Sequence, residues 1–213
     1  MNALIELHYL PSIAYFSVLS SSNEIIVERY EHYVKQTYRN RCYLNTSQGP
    51  AHLTIPLSGK HNKVVITDIR MDYTQKWLNN HWRTVQSAYG NAPFFEHYAE
   101  DLEKLLFKKY EFLYDLNFHL LSMCLAWLRW NTPVRESMSY EKDTTSGIQD
   151  MRSLINPKKT DLLAKFYSPV TYTQVFGNAF VSNMSLIDLI FCEGPSAAQI
   201  VKASAVKNEQ MLN

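Results

Sequence analysis

The chain has 213 residues, 21 basic and 20 acidic side chains, a net charge of +1 and 46% hydrophobic residues. That balance suits one globular domain and excludes bulk attraction to nucleic acid or to an anionic membrane surface. Six glycines against 14 tyrosines and 10 phenylalanines argue against a glycine-rich phosphate cradle. The three cysteines, Cys42, Cys124 and Cys192, lie far apart with no CxxC spacing, which excludes a disulfide scaffold and a zinc knuckle and fits a reducing cytoplasm.

The first 70 residues read mainly as strands. "LIELHYL" (4–10) is extended and apolar until Pro11 stops it. The run lacks a basic start, and Glu6, His8 and Pro11 break any signal-type segment. "SIAYFSVLS" has Ser12 as its N-cap. "EIIVE" (24–28) has the pattern of a short buried strand. "RNRCYLN" and "AHLTIPLS" are two β-like runs joined by the turn "TSQG", a hairpin. "KVVITDIRMD" (63–72) is expected to be a further strand.

From Thr74 the period changes. Trp77, His81, Trp82, Val85 and Tyr89 recur every three or four residues, one face of a helix that Asn91 and Pro93 break. Phe95–Phe107 is a second helix and Tyr114–Trp130 a third, ended by Asn131-Thr-Pro. No stretch reaches the about 18 apolar residues of a membrane span, so a cytoplasmic location without a membrane span is expected. Residues 135–147 are polar and read as a surface loop. "VTYTQVF" (170–176) is β-like, "NMSLIDLIF" opens a helix, "EGPSAAQIVKAS" is a turn and a last helix, and residues 207–213 are expected to fray. The fold class is therefore α/β or α+β. A single domain over 1–206 carries a small N-terminal sheet packed on helices, with a C-terminal helical closure.

Several patterns could carry chemistry. "HYLPSIAYF" places His8, Tyr9 and Tyr15 at a strand-to-helix junction, where polar groups collect at a cleft; a tight turn with a half-exposed histidine is the bland alternative. "RYEHYVKQTYRNR" sets Glu31, His32, Lys35, Arg39, Asn40 and Arg41 among tyrosines; arginine forks suit carboxylate or phosphate, but a solvated edge strand would look alike. "KWLNNHW" puts Trp77 and His81 at i and i+4, and a histidine there is either a general acid–base group or a satisfied core residue. Ser185 with Asp188 three residues on has the spacing of a capping box. The seven histidines do not cluster, so no metal is expected. No GxSxG, Walker or GxGxxG pattern occurs, and no cofactor is assigned.

Taken together, "LHYLPSIAYF", "YEHYVKQTYRNR", "LTIPLS", Trp77–Phe95, Asp150–Lys158 and Tyr172–Pro195 resemble the WbqC-like family of bacterial proteins over about residues 4–200. The sequence departs from the family pattern where His8 stands for the usual Gln and Ala14 for the usual Gly. The resemblance implies a part in surface-polysaccharide (O-antigen or capsule) biosynthesis, with a sugar or nucleotide-sugar ligand. The activity expected is group transfer to an activated amino sugar; the competing reading is a non-catalytic binding or scaffold component. On that footing a pocket is expected to gather His8, Tyr9, Tyr15, Lys35, Asn40, Arg41, Trp77, His81 and Tyr89. Arg41 and Lys35 would hold an anionic group, Asn40, Trp77 and the tyrosines would orient the sugar, and His81 and His8 are the catalytic candidates.

Overall fold

A computed structural model describes residues 1–158, 162–177 and 179–206; the expected fraying of 207–213 falls outside them. The elements are β1 (Asn2–Ile5), α1 (Ile13–Leu19), β2 (Glu24–Val27), β3 (Arg41–Thr46), β4 (Gly49–Thr54), α2 (Trp77–Tyr89), α3 (Phe95–Phe107) and α4 (Leu113–Trp127). They continue with β5 (Val134–Glu136), β6 (Ile148–Asp150), α5 (Leu186–Glu193) and α6 (Ala197–Ala203).

Four short strands form a parallel sheet in the order β5-β2-β1-β6, and β3 and β4 form a separate antiparallel hairpin. The fold is α/β, and its sheet is not wholly N-terminal. The N-terminal segment supplies the two inner strands, and residues 134–136 and 148–150 supply the outer two. β5 takes the first two residues of the polar 135–147 stretch, which then crosses from β5 to β6. Strands buried on both faces read as continuous apolar runs, as "EIIV" and "NALI" do. Every residue of α1 is buried, because α5 and α6 pack on it; an apolar segment with no polar face is the sequence counterpart.

α2, α3 and α4 pack in succession, and α2 also leans on β3. The α2–α3 junction docks on α5 through Phe94 N–H donating to the Phe191 carbonyl at 2.9 Å. Gly194 (φ +52°) makes room there: a Cβ would lie 2.5 Å from the Phe94 ring. α4 stops at Trp127, three residues before the expected end. Arg129 (φ 55°) turns left-handed, and the Trp130 and Arg129 N–H groups donate back to the carbonyls of Leu125 and Ala126, a Schellman closure.

Two expected strands are absent. Residues 63–72 hold a 3-10 turn at Ile66–Asp68 and single bridges from Val65 to His32, Arg70 to Phe112 and Met71 to Leu57. Ile66, Ile69 and Met71 are buried, yet each backbone group meets a different neighbour, so no ladder forms. Residues 170–176 are irregular and are held by side chains instead. The capping box is also overturned. Ser12 and Ser185 occupy N-cap positions without a side-chain cap bond. Ser185 Oγ donates to the Leu10 carbonyl, 2.8 Å away, and Asp188 points into the core.

Candidate functional site

Because the four strands run parallel, their carboxyl ends share one side of the sheet. Glu6 follows β1, Glu28 follows β2, Ser137 follows β5 and Asp150 ends β6. Open α/β sheets bind ligands in the crevice at that side, where strand order reverses; here the reversal lies between β1's two neighbours, β2 and β6.

The side chains at these ends form an ion network, buried at Glu6, Glu28, Glu31 and Arg39 and exposed at Asp150. Arg39, 1% exposed, donates from Nε and Nη2 to the two oxygens of Glu31 at 2.7 and 2.6 Å, and from Nη1 to Thr37 Oγ1. Its Nη2 also lies 3.7 Å from Glu6 Oε1. Glu6 accepts from His8 Nε2 at 3.2 Å and from the Ser153 N–H at 2.9 Å. Arg152 donates to Glu28 at 2.9 Å, to both oxygens of Asp150 at 3.0 and 2.7 Å, and to the Glu141 carbonyl. Ser137 Oγ–H completes the Glu28 shell.

Burial alone would raise the Glu6 carboxyl, but the His8 hydrogen bond, the Arg39 charge and the Ser153 N–H outweigh it and hold it at about 2. Burial pushes His8 down and keeps it neutral at pH 7, donating Nε2–H to Glu6. Burial lowers Arg39, yet its bonds and charges with Glu31 and Glu6 carry it above the ordinary guanidinium. The hydrogen bonds to Asp150 likewise raise Arg152.

A cavity of about 530 Å³ opens on this network, walled by Tyr30, Glu31, His32, Val34, Arg39, Tyr140, Lys142, Asp150, Arg152 and Ser153. Tyr30 and Tyr140 are exposed at 42% and 56%, which leaves ring surface at the mouth. Ser153 sits at φ 60°, a left-handed turn that costs a non-glycine residue about 1 kcal/mol or more and is held by its N–H bond to Glu6. A second cavity of similar volume, between Met1, Ser17, Val18 and Phe166, shares Asp150 with the first but has none of Glu31, Arg39 or Arg152 in its wall.

The nine residues singled out from sequence fall into separate places, and none of them walls this cavity. His8 lies behind it, its ring 4.9 Å from that of Tyr15, and Tyr15 OH donates to the Glu6 carbonyl. Tyr9, Trp77 and His81 meet elsewhere. Tyr9 OH is 3.0 Å from His81 Nδ1, and the Trp77 and His81 rings are 5.1 Å apart. Burial, against a weaker Thr54 backbone bond, brings His81 down to about 4. Asn40 is spoken for, accepting from Tyr33 OH and donating to the Ile55 carbonyl. Lys35 is exposed, and the buried Arg41 Nε has no hydrogen-bond partner.

Tyr89 belongs to another cluster that the sequence reading missed. Its OH donates to Asp188 Oδ1 at 2.8 Å and accepts the Asn45 N–H. Tyr172 OH and Gln174 Nε2 donate to Asp188 Oδ2. Burial raises Asp188 against these bonds. Glu28 and Arg152 also went unnoticed as site residues, and Arg39, noted as an arginine fork in its motif, was left out of the expected pocket. The one local signal was the Asp150–Arg152 spacing, since a residue and its second neighbour across a tight turn can pair.

Among the described residues no group of three or more His, Cys, Asp or Glu side chains is placed to hold a metal ion, and no helix is long and apolar enough to cross a membrane. The model of the WbqC-like protein family matches residues 7–160, a span that contains Glu28, Glu31, Arg39, Asp150 and Arg152 but not Asp188. The uncharacterized protein Rv1507c of Mycobacterium tuberculosis is 31% identical over 143 residues, 65% of this chain and 61% of the relative. The chain thus spans about three-fifths of that relative's length. No solved structure matches.

Proposed function

The chain belongs to the WbqC-like protein family, and from that premise we propose a part in bacterial surface-polysaccharide (O-antigen or capsule) biosynthesis, as a group transferase acting on an activated amino sugar. One observation supports the reading above others: the cavity of about 530 Å³ at the carboxyl side of the parallel sheet, with ionised carboxylates fixed in its wall and tyrosine rings at its mouth. A cavity of this size suits a monosaccharide with part of its activating group. Aromatic faces pack on apolar sugar faces while their hydroxyls stay wet.

In this reading Asp150 and Glu31 accept hydrogen bonds from the ligand, and one of them takes the proton from the attacking group. Arg39 and Arg152 hold those carboxylates in place, and His8 and Tyr15 act through Glu6 as positioning residues. Lys142 and His32, at the rim, are the groups available to an activating phosphate. The Tyr9–His81–Trp77 group keeps the hairpin, α2 and the β1–α1 connection together; His81, neutral and bonded on both sides, serves there as a joint.

A thermal-shift screen of nucleotide-sugars, acyl-CoAs, amino acids and ATP tests the proposal. A nucleotide-sugar at about a hundred times its Kd is expected to raise the melting temperature by roughly 5–10 °C, and Asp150→Asn to remove the shift. A response to acyl-CoA or ATP alone would overturn the sugar as ligand. A second reading, a non-catalytic binding component of the same pathway, is favoured by Met138, 86% exposed, on the segment that crosses from β5 to β6. It predicts sugar binding without turnover of any donor.

A further inference from the structure

We infer that the carboxyl-side cavity holds its ligand through a free ammonium group, an inference that rests on the sugar reading of the same cavity. Four carboxylates, Glu6, Glu28, Glu31 and Asp150, surround two guanidinium groups, Arg39 and Arg152. Neither arginine is presented as an open fork. Bonds to Glu31 and Thr37 use three of the five N–H groups of Arg39, and bonds to Asp150, Glu28 and the Glu141 carbonyl use four of the five of Arg152. Nη2 of Arg39 also faces Glu6 Oε1 at 3.7 Å, so little donor capacity is left for an anion.

The carboxylates still have accepting capacity. Each Glu31 oxygen takes one bond from Arg39, and a carboxylate oxygen can take two. Asp150 has a side chain 35% exposed, so it is within reach of a ligand. His8, buried and neutral, adds no charge. Lys142, exposed on the wall, supplies one cation at the rim and leaves the network one positive charge short. An ammonium between Asp150 and Glu31 closes that deficit; the Tyr30 and Tyr140 rings each already carry a guanidinium, Arg29 at 5.6 Å and Arg152 at 5.0 Å, so the carboxylates are what hold it. The recognised class is a primary amine on a sugar, and an N-acylated amine would lack both the charge and two of its three donors.

Ligand-observed NMR on the native protein tests this with glucosamine and galactosamine, each beside its N-acetyl derivative and its parent hexose. At least one amino sugar is expected to bind about tenfold or more tightly than its N-acetyl partner, and Asp150→Asn to reduce that preference. The comparison among ligands is made on the unaltered protein, so it stands even if the variant folds poorly. Equal or tighter binding of the N-acetyl or parent sugar would overturn the ammonium contact and leave the sugar reading intact. Binding of none of the six would overturn both.

Discussion

Among the described residues, a group of carboxylates beside the cavity and the buried Asp188 are held in opposite ways. At the carboxyl side of the sheet, Glu6, Glu28, Glu31 and Asp150 are held by guanidinium groups. Beneath α5, Asp188 is held by neutral donors, Tyr89, Tyr172 and Gln174. Burying ions is costly even when they are paired, and apolar packing often does as well for stability. A charged network beside a cavity therefore points to chemistry or recognition. The neutral hub instead ties together α2, α5, β3 and the irregular 170–176 segment, whose backbone has no ladder of its own.

The sharpest way to break this contrast is to remove one ion from each cluster. Arg39→Met leaves Glu31 and Glu6 buried without their counter-charge and is expected to cost about 3–5 kcal/mol in urea denaturation. A loss below about 1 kcal/mol, the range of exposed pairs, would show that the network is solvated and not buried.

Glu6 and Asp188 should also answer pH with opposite signs, while burial raises Glu31 in the first cluster as it does Asp188. Glu6 is depressed from 4.5 to about 2, so its contribution is fully present above about pH 4.5 and is lost as pH falls through about 2. That contribution is on the order of 3 kcal/mol, and Glu6→Gln should flatten this acid limb. Asp188 is raised, so its ionisation costs stability as pH climbs from its unfolded value through the folded one. Asp188→Asn should remove that decline. Denaturant midpoints across pH 2–7 measure both, and limbs of the same sign would end the comparison.

At pH 7, Asp188→Asn leaves one of Tyr89, Tyr172 or Gln174 without an acceptor. A loss of about 1–3 kcal/mol is expected, with sugar binding unchanged. Altered binding would make the hub part of the site. The smallest effect is predicted far from both clusters. Arg129→Gly relieves a left-handed residue, and glycine's larger unfolded-state entropy offsets part of the gain, so a stabilisation of about 0.5 kcal/mol is expected. Equal stability would mean that the arginine side chain contributes as much as the strain costs.

Periodicity alone was enough for α2 and α3, whose bounds match Trp77–Tyr89 and Phe95–Phe107, because an amphipathic face repeats every three to four residues whatever it packs against. "EIIV" and the "TSQG" hairpin were equally local. Residues 170–176 alternate like a strand and 63–72 carry the apolar run "VVI", but strand identity needs a partner's backbone, which no local pattern supplies. The same limit governs the site. His8, Tyr15 and Glu31 could be picked out as polar groups among apolar ones. That Glu6, Glu28 and Asp150 end up side by side follows only from three parallel strands drawn from residues 2–5, 24–27 and 148–150. Likewise the Ser185–Asp188 spacing implied a cap until Tyr89, 99 residues away, turned the carboxylate inward. Helix faces and turns are written in short-range spacing, whereas the charge network is decided by which strand ends the tertiary fold brings together.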